Sequence, residues 1–257
     1  MSTPKGYVDP QYLKFIAQLF RQYKERTYQI MQIKPGDIIL DVGCGPGNDT
    51  IALSKLVGDN GKVIGIDCDN TMIIEANKAA ITAGVHSVVD HKLADATSLP
   101  FESNVFNSSR SERLFQHLTH PEKALSEMVR VTKPNGWIVV VDADWSTLSF
   151  DTEEYEIEHR LKIFRIQHYI QNGYVGRQLY RLFHQQKLTD ISIEIFPIFL
   201  TDYAIGRQSA VLDEVEKKAL ATGIITNDEL NRWRTSLNPN GLFFGHLNQV
   251  MVAAHKS

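Results

Sequence analysis

The chain has 257 residues, a formal net charge of −3 and a hydrophobic fraction of 43%, values that are typical of a soluble globular protein. It lacks the basic excess that a nucleic-acid partner requires, and no apolar run is long enough to span a membrane. The first residues also lack the apolar core of a signal peptide, so we expect a cytoplasmic protein. Cys44 and Cys68 are too few for a disulfide scaffold and form no metal-type pair such as C-x-x-C, so no metal site is predicted.

Amphipathic helices and short apolar strands alternate over the first 150 residues. The apolar spacing predicts a first helix over residues 11–30, and Pro35-Gly36-Asp37 separates this helix from the first strand. The rhythm after that turn is typical of a parallel sheet with helices on its faces. The predicted strands are IILDV, KVIGID, VVDHKLAD, VFNSSRSE and NGWIVVVDAD, and the predicted helices are NDTIALSKLVG, NTMIIEANKAAITAG and PEKALSEMVRVTK.

The pattern changes after Asp151. Helices are predicted over residues 153–172 and 210–237, the second interrupted at Gly223, with a shorter helix and the strand TDISIEIF between them. LFFGHLNQVMVAAHK is a last apolar strand. The helices over 11–30, 153–172 and 210–237 are extra to a βαβ series, and we expect them to cover one edge of the sheet.

A glycine-rich loop, LDVGCGPGN, lies at the end of the first strand. Gly43, Gly45 and Gly47 have the spacing G-x-G-x-G at a strand-to-helix turn, where backbone amides face a bound ligand. A dinucleotide fingerprint would place a glycine at position 48, but the chain has Asn48 there. Asp67, at the end of the second strand, could accept hydrogen bonds from the ribose hydroxyls of NAD or of an adenosyl ligand. Both cofactor classes remain open at this point, as does a solvated strand-end aspartate.

A third strand end carries the segment ADATSLPF. Asp95 comes after that strand in a tight turn of small residues, where its carboxylate could accept a hydrogen bond from an adenine amino group. Ala94 and Ala96 would leave room for the adenine ring. Three consecutive strand ends could therefore carry one adenosine-type ligand.

The four segments ILDVGCGPGNDTIALSK, VIGIDCDNTMIIEANKAA, ADATSLPF and RLFQHLTHPEKALSEMVRVTKPNGWIVVVDAD together resemble a known family. They look like the successive motifs of class I S-adenosylmethionine-dependent methyltransferases, of the branch that includes ubiquinone and menaquinone biosynthesis enzymes. The resemblance covers about residues 33–145, and the last strand also resembles the antiparallel strand of that fold. It implies an α/β fold with a Rossmann-like, seven-stranded, mostly parallel sheet, an antiparallel last strand and helices on both faces. It also implies binding of S-adenosylmethionine, with S-adenosylhomocysteine as the product.

We predict a single domain over residues 1–257. Its core is expected at about 31–150, 174–200 and 242–257, and the extra helices are expected to form a lid.

The resemblance also implies a set of cofactor contacts. Gly43 and Gly45 would lie under the methionine and ribose, Cys68 would touch the adenine face, and Ser111 would face the methionine end. Arg26 could hold the methionine carboxylate, or it could be a surface arginine. The full set of predicted cofactor-binding residues is Arg26, Gly43, Cys44, Gly45, Asp67, Cys68, Asp95, Ala96 and Ser111. The sequence departs from many relatives at Phe106-Asn107, where they have Phe-Asp.

The methyl acceptor is less defined by the sequence. The candidate acceptor-binding residues are His117, Trp145 and Tyr12, and we expect a small, hydrophobic or aromatic acceptor. Because a positioned nucleophile can supply most of the catalysis by proximity, a base is optional and no catalytic residue is assigned. His117 and Asp144 are candidates for such a base, but these two residues and Asp142 could equally be structural groups. The alternatives are a nucleotide-dependent oxidoreductase and a catalytically silent S-adenosylmethionine-binding protein, and the oligomeric state stays open.

Overall fold

The computed structural model describes residues 20–257, and seven strands within that range form one sheet. The strands are β1 (Ile38–Val42), β2 (Lys62–Asp67), β3 (Val89–Leu93), β4 (Phe106–Glu112), β5 (Thr132–Phe150), β6 (Thr189–Leu200) and β7 (Gly245–His255). Their order is β3-β2-β1-β4-β5-β7-β6. Neighbouring strands in the part β3-β2-β1-β4-β5 pair in parallel, whereas β7 runs antiparallel to both β5 and β6. The predicted fold class, with its antiparallel last strand, is confirmed.

Helices cover both faces of this sheet. They are α1 (Arg21–Ile30), α2 (Asn48–Val57), α3 (Asn70–Thr82), α4 (Pro121–Val131), α5 (Tyr155–His168), α6 (Val175–Gln185), α7 (Tyr203–Ser209), α8 (Leu212–Ala221) and α9 (Asn227–Ser236). Local signals set several boundaries: Asp69 caps α3, Pro121 begins α4, and Thr226 with Glu229 forms a capping box on α9. Tyr12 and the first half of the helix predicted over 11–30 lie outside the described residues, and the second half corresponds to α1.

The predicted helix over 210–237 corresponds to α8 and α9. Gly223 separates them with a φ of +73°, a backbone conformation that glycine adopts without steric cost. The short helix α7 was not predicted. It begins where the Asp202 side chain accepts a hydrogen bond from the backbone N–H of Ile205 at 2.9 Å.

Three apolar clusters hold these layers together. Alternate residues of β1 divide between two of them: Leu40 and Val42 pack toward α4 and α6, while Ile39 packs toward α1 and α2. The third cluster lies around Trp233, between β5, β7 and what we call the helical cover, which consists of α5, α7, α8 and α9. Because the strand order reverses between β1 and β4, a crevice opens at the carboxyl ends of these two strands. The fold therefore places a binding site under the helical cover.

Candidate active site

A cavity of about 1730 Å³ lies over the carboxyl ends of β1, β2, β4 and β5. Its floor extends across β7 to β6, and residues of α5, α7 and α8 line its other side. Pockets that hold one small molecule usually measure about 300–1,000 Å³. This cavity is therefore large enough for a nucleotide-sized cofactor and a second small molecule.

The glycine loop forms one wall of the cavity, and its glycines are required by the geometry. Gly43 and Gly47 have φ angles of +77° and +82°, in the left-handed region. A Cβ atom on Gly43 would lie 3.0 Å from the side chain of Leu114, and one on Gly47 would lie 3.1 Å from Nε2 of His91. Side chains at either position would therefore push the loop away from Leu114, which follows β4, and from His91 of β3.

Asp67 ties this loop to the end of β2. Its Oδ2 accepts a hydrogen bond from the backbone N–H of Gly45 at 2.9 Å, and its Oδ1 accepts one from the N–H of Asp69 at 3.0 Å. Burial raises the pKa of Asp67, while these two N–H groups act in the opposite direction. Each carboxylate oxygen has a second lone pair, so Asp67 can also accept hydrogen bonds from a ligand in the cavity.

The two cysteines flank the same corner of the cavity. Cys44 is buried and fills the space over Gly65 of β2, where a Cβ would lie 2.8 Å from its sulfur. Burial raises the pKa of both the Cys44 and the Cys68 thiol, so both stay protonated at neutral pH. Neither therefore has the properties of an activated nucleophile.

A group of five charged side chains, which we call the buried ion cluster, lies between β1, β4, α1 and α2. Nζ of Lys24 is 2.6 Å from Oδ2 of Asp49 and 2.8 Å from Oε2 of Glu112. The guanidinium of Arg110 contacts Asp41 at 3.0 Å, Asp49 at 3.4 Å and Glu112 at 2.8 Å. Each of the five side chains lines the cavity, although Arg110 is only 1% exposed.

The surroundings of the carboxylates in this cluster affect their pKa values differently. Burial raises the pKa of Asp41, whose Oδ2 has no hydrogen-bond partner among residues 20–257. Burial acts in the same direction on Asp49, but Arg110 and Lys24 outweigh it and hold the pKa of Asp49 well below its usual range. The cluster therefore presents both signs of charge at the cavity wall.

Two predicted cofactor residues do not reach the cavity. The guanidinium of Arg26 pairs with Glu194 of β6 at the surface, with Nη2 to Oε1 at 2.6 Å, instead of facing the crevice. Ser111 faces β1, where its hydroxyl donates to the carbonyl oxygen of Val42 at 2.9 Å. Arg26 thus takes the second of its two predicted positions, that of a surface arginine, while the predicted contact of Ser111 with the methionine end stays a prediction.

Asp95 and Ala96 lie in the turn after β3, outside the lining of this cavity. Oδ1 of Asp95 accepts hydrogen bonds from the backbone N–H and the hydroxyl of Thr97, at 2.7 and 2.8 Å. These bonds hold the turn in shape, and the Asp95 residue is exposed. A role for these two residues at the adenine stays a prediction.

His117 and Trp145, two of the predicted acceptor residues, line the same cavity. Trp145 is held in place by its Nε1, which donates to Oε1 of Gln116 at 2.5 Å, and the Arg165 guanidinium lies 4.3 Å from its ring centroid.

Asp142 and Asp144 are not among the residues that line the cavity. Asp142 accepts backbone hydrogen bonds from Gln116 and Ala143, and Asp144 pairs with Arg177 at 2.6 Å. Their observed contacts are structural.

The chain matches the family described as "Methyltransferase domain" over residues 33–186. It is 30% identical over 234 residues to a 37.1 kDa protein in transposon Tn4556 of Streptomyces fradiae, covering 91% of this chain and 67% of that one. The chain belongs to the methyltransferase-domain family.

A demethylmenaquinone methyltransferase of Bacillus cereus is 33% identical to this methyltransferase over 131 residues, covering 51% of this chain and 55% of that one. The chain thus spans about half the length of that relative. The crystal structure of the YcgJ protein from Bacillus subtilis has the same fold, with a TM-score of 0.68 at 19% identity, covering 92% of this chain and 98% of that chain. The resemblance to class I S-adenosylmethionine-dependent methyltransferases of the ubiquinone/menaquinone-like branch is thereby confirmed, as is the prediction of an enzyme.

Sequence reasoning missed the buried ion cluster of this methyltransferase. Its signal is the run Ser108 to Glu112, five consecutive polar residues in β4, a central strand of a parallel sheet. Such strands are usually almost continuously apolar. Arg110 and Glu112 are two residues apart and therefore lie on the same face of β4, next to Asp41 of β1.

His117 should contribute less to the stability of the methyltransferase as the pH falls. Burial and the nearby Arg113 lower the pKa of His117 to about 4, below the value of about 6.5 expected in the unfolded chain. Between these two values the unfolded state binds more protons, so stability rises with pH across this window. When the pH is lowered from 7 to 5, we expect the unfolding free energy of His117→Leu to fall by about 2 kcal/mol less than that of the native protein.

Urea denaturation at both pH values measures this difference. The exposed His86 provides a control, because His86→Leu should leave the native pH dependence unchanged. Equal pH dependence in the His117 variant and the native protein would contradict the burial of a neutral imidazole.

Proposed function

We propose that this protein transfers a methyl group from S-adenosylmethionine to a small, hydrophobic or aromatic acceptor held under the helical cover. The observation that carries the proposal is the continuity of the cavity. It runs from the glycine loop and Asp67 to an apolar wall that includes Trp145, Leu148 and Leu200. One molecule at each end would place a methyl donor and its acceptor in contact.

The residues of the first half fit the cofactor. Asp67 offers carboxylate lone pairs for two ribose hydroxyls, and the glycines leave the backbone open to close approach. The methionine end is a zwitterion, which needs partners of both charges. Lys24 and Arg113 supply cations at the cavity wall, while Asp41 and Glu112 supply anions. Arg26, which pairs with Glu194, is not needed for this role.

S-adenosylmethionine supplies an electrophilic methyl group on a sulfonium centre. The contribution of the chain is to orient the acceptor toward that group and to exclude water. Because its pKa is lowered to about 4, His117 is neutral at pH 7 and can accept a hydrogen bond, but it is a weak base. Positioning therefore supports the reaction better than proton removal by a side chain.

Other features of the chain support a small acceptor. The net charge of −3 disfavours a nucleic-acid substrate. Among the relatives, the demethylmenaquinone methyltransferase of Bacillus cereus is named for a small-molecule substrate. Separately from the question of the acceptor, no helix within residues 20–257 is long and apolar enough to cross a membrane.

Titration calorimetry with S-adenosylmethionine and S-adenosylhomocysteine tests the cofactor part of the proposal. We expect Asp67→Ala to weaken both affinities roughly tenfold to hundredfold, because it removes charged acceptors of hydrogen bonds. Asp59→Ala, at an exposed aspartate in the turn before β2, is the matched control and should bind like the native protein. If the native protein binds neither compound, the proposal is wrong.

A labelled methyl donor tests the acceptor part. Native protein and the Asp67→Ala variant are incubated with a small-molecule fraction and a macromolecular fraction of cell extract, and labelled products are identified. We expect label in small, apolar products with the native protein only. Label in protein or nucleic acid would contradict the proposal, and cofactor binding without any transfer would favour the catalytically silent alternative.

A further inference from the structure

Gln249 is a polar residue in the part of the cavity floor that β6 and β7 form, where the other lining residues are Ile198, Leu200 and Leu247. It lies in the middle of β7, opposite Ala143 of β5 and Phe196 of β6. Its side chain is 1% exposed, yet it lines the cavity beside Leu247 and Ile198. A glutamine at this position is therefore removed from bulk water and faces the space where a ligand would bind.

The carboxamide of Gln249 lacks what buried amides normally have. Among residues 20–257, no group donates a hydrogen bond to its Oε1. A buried carbonyl oxygen without a donor destabilises the fold, because it loses the hydrogen bonds that water gives it in the unfolded chain. Such a group persists where something else completes its hydrogen bonding, and a ligand in the cavity can do so.

Gln116, another glutamine of the cavity wall, shows the opposite arrangement. Its Oε1 accepts from Nε1 of Trp145, and its Nε2 donates to the carbonyl oxygen of Arg113 at 3.1 Å. Both the oxygen and the nitrogen of the Gln116 amide thus bond to the protein and hold the wall together. The contrast identifies Gln249 as the buried amide that is left for a ligand.

We propose that Oε1 of Gln249 accepts a hydrogen bond from a hydroxyl group of an aromatic acceptor and thereby selects hydroxylated acceptors. The inference rests on the proposed function, because it assigns Gln249 to the half of the cavity that holds the acceptor. The surrounding wall, with Trp145, Leu247 and Ile198, suits an apolar ring. Among residues 20–257, Gln249 is the one polar side chain in the β6–β7 part of the floor. A hydroxyl group on such a ring could donate to its Oε1, whereas a methyl ether would leave Oε1 without a donor.

Binding of 2-naphthol and 2-methoxynaphthalene tests this inference, because the two probes share a ring system and differ in the hydroxyl donor. Dissociation constants are measured by ligand-observed NMR, with S-adenosylhomocysteine present and absent. We expect the native protein to bind 2-naphthol about tenfold more tightly than the ether, as for one hydrogen bond to a buried group. In Gln249→Leu the two probes should bind within about twofold of each other. Gln208→Leu, at an exposed glutamine lining the same cavity, is the control and should keep the native preference.

The melting temperature and the affinity for S-adenosylhomocysteine are measured on the same samples. Gln249→Leu should melt above the native protein, since it removes an unpaired buried amide, and its affinity for S-adenosylhomocysteine should be unchanged. The inference is wrong if Gln249→Leu melts below the native protein or still prefers 2-naphthol over the ether. It is also wrong if the native protein shows no such preference or binds neither probe. If the native protein does not bind S-adenosylhomocysteine, the proposed function is wrong. The comparison of the two probes in the native protein and in Gln249→Leu then still tests the role of Gln249.

Discussion

Replacing Arg110 by methionine is expected to destabilise the protein by about 3–5 kcal/mol at neutral pH. Arg110 is 1% exposed and contacts three carboxylates of the buried ion cluster. Methionine has a similar length but no charge, so Asp41, Asp49 and Glu112 would share only Lys24 and the more distant Arg113. Removing one partner from a buried ion pair leaves uncompensated charge, which is far more destabilising than the loss of a surface pair.

Urea denaturation of the cofactor-free protein measures this effect. Arg26→Met is the matched control, because Arg26 pairs with Glu194 at the surface, and it should destabilise the protein far less, since exposed ion pairs contribute little to stability. Burial raises the pKa of Asp41 to about 7, and loss of Arg110 would raise it further. Since the unfolded pKa is about 4, the folded variant binds more protons in this window than the native protein does, so lowering the pH from 7 to 5 should narrow the difference in stability between them. A loss no larger than that of the Arg26 control would show that the ion cluster does not stabilise the fold.

Glu216→Ala is expected to destabilise the helical cover by about 3–5 kcal/mol. The Glu216 carboxylate in α8 is fully buried and accepts hydrogen bonds from Arg207 of α7 and from Trp233 and Arg234 of α9. Alanine would leave the indole N–H of Trp233 without this acceptor and would leave Arg207 with only the exposed Asp213. Three helices of the cover would thus lose their shared contact.

Hydrogen exchange measured by mass spectrometry locates this effect. We expect faster exchange in α7, α8 and α9 and unchanged exchange in β1 and β4. Glu214→Ala changes an exposed glutamate of the same helix and should leave exchange as in the native protein. Uniformly faster exchange across the sheet would contradict a role confined to the cover.

Most of the layout of the fold, α7 excepted, could be predicted because the elements carry local signals. Apolar runs mark the strands, Pro121 and Asp69 mark helix starts, and Gly223 marks the break between α8 and α9. These signals depend on neighbours in the sequence. The pairing of β7 between β5 and β6 joins residues that are 45 (Leu200 and Gly245) to 118 (Trp137 and His255) positions apart. The antiparallel direction of this last strand was predicted only through the resemblance to a family, and its place between β5 and β6 was not predicted.

The candidate site was predictable where it is made of backbone turns and strand ends, as for Gly43 and Asp67. It was not predictable where a side chain has several potential partners. Arg26 and Lys24 both lie in α1, but they point to different sides of this helix. Lys24 therefore enters the buried ion cluster, whereas Arg26 pairs with Glu194. The same holds for Gln249, whose importance depends on donors missing around it in space.

The attachment of Gly45 to Asp67 has a consequence for the rate of ligand binding. Because the carboxylate of β2 already holds the glycine loop, with the Gly45 N–H to Oδ2 distance at 2.9 Å, the conformational entropy of shaping the loop is lost during folding and not on encounter with the ligand. An adenosyl ligand would then meet a rigid, preformed surface at this corner. Association there would be a single diffusive step, with no slow rearrangement of the loop to limit it.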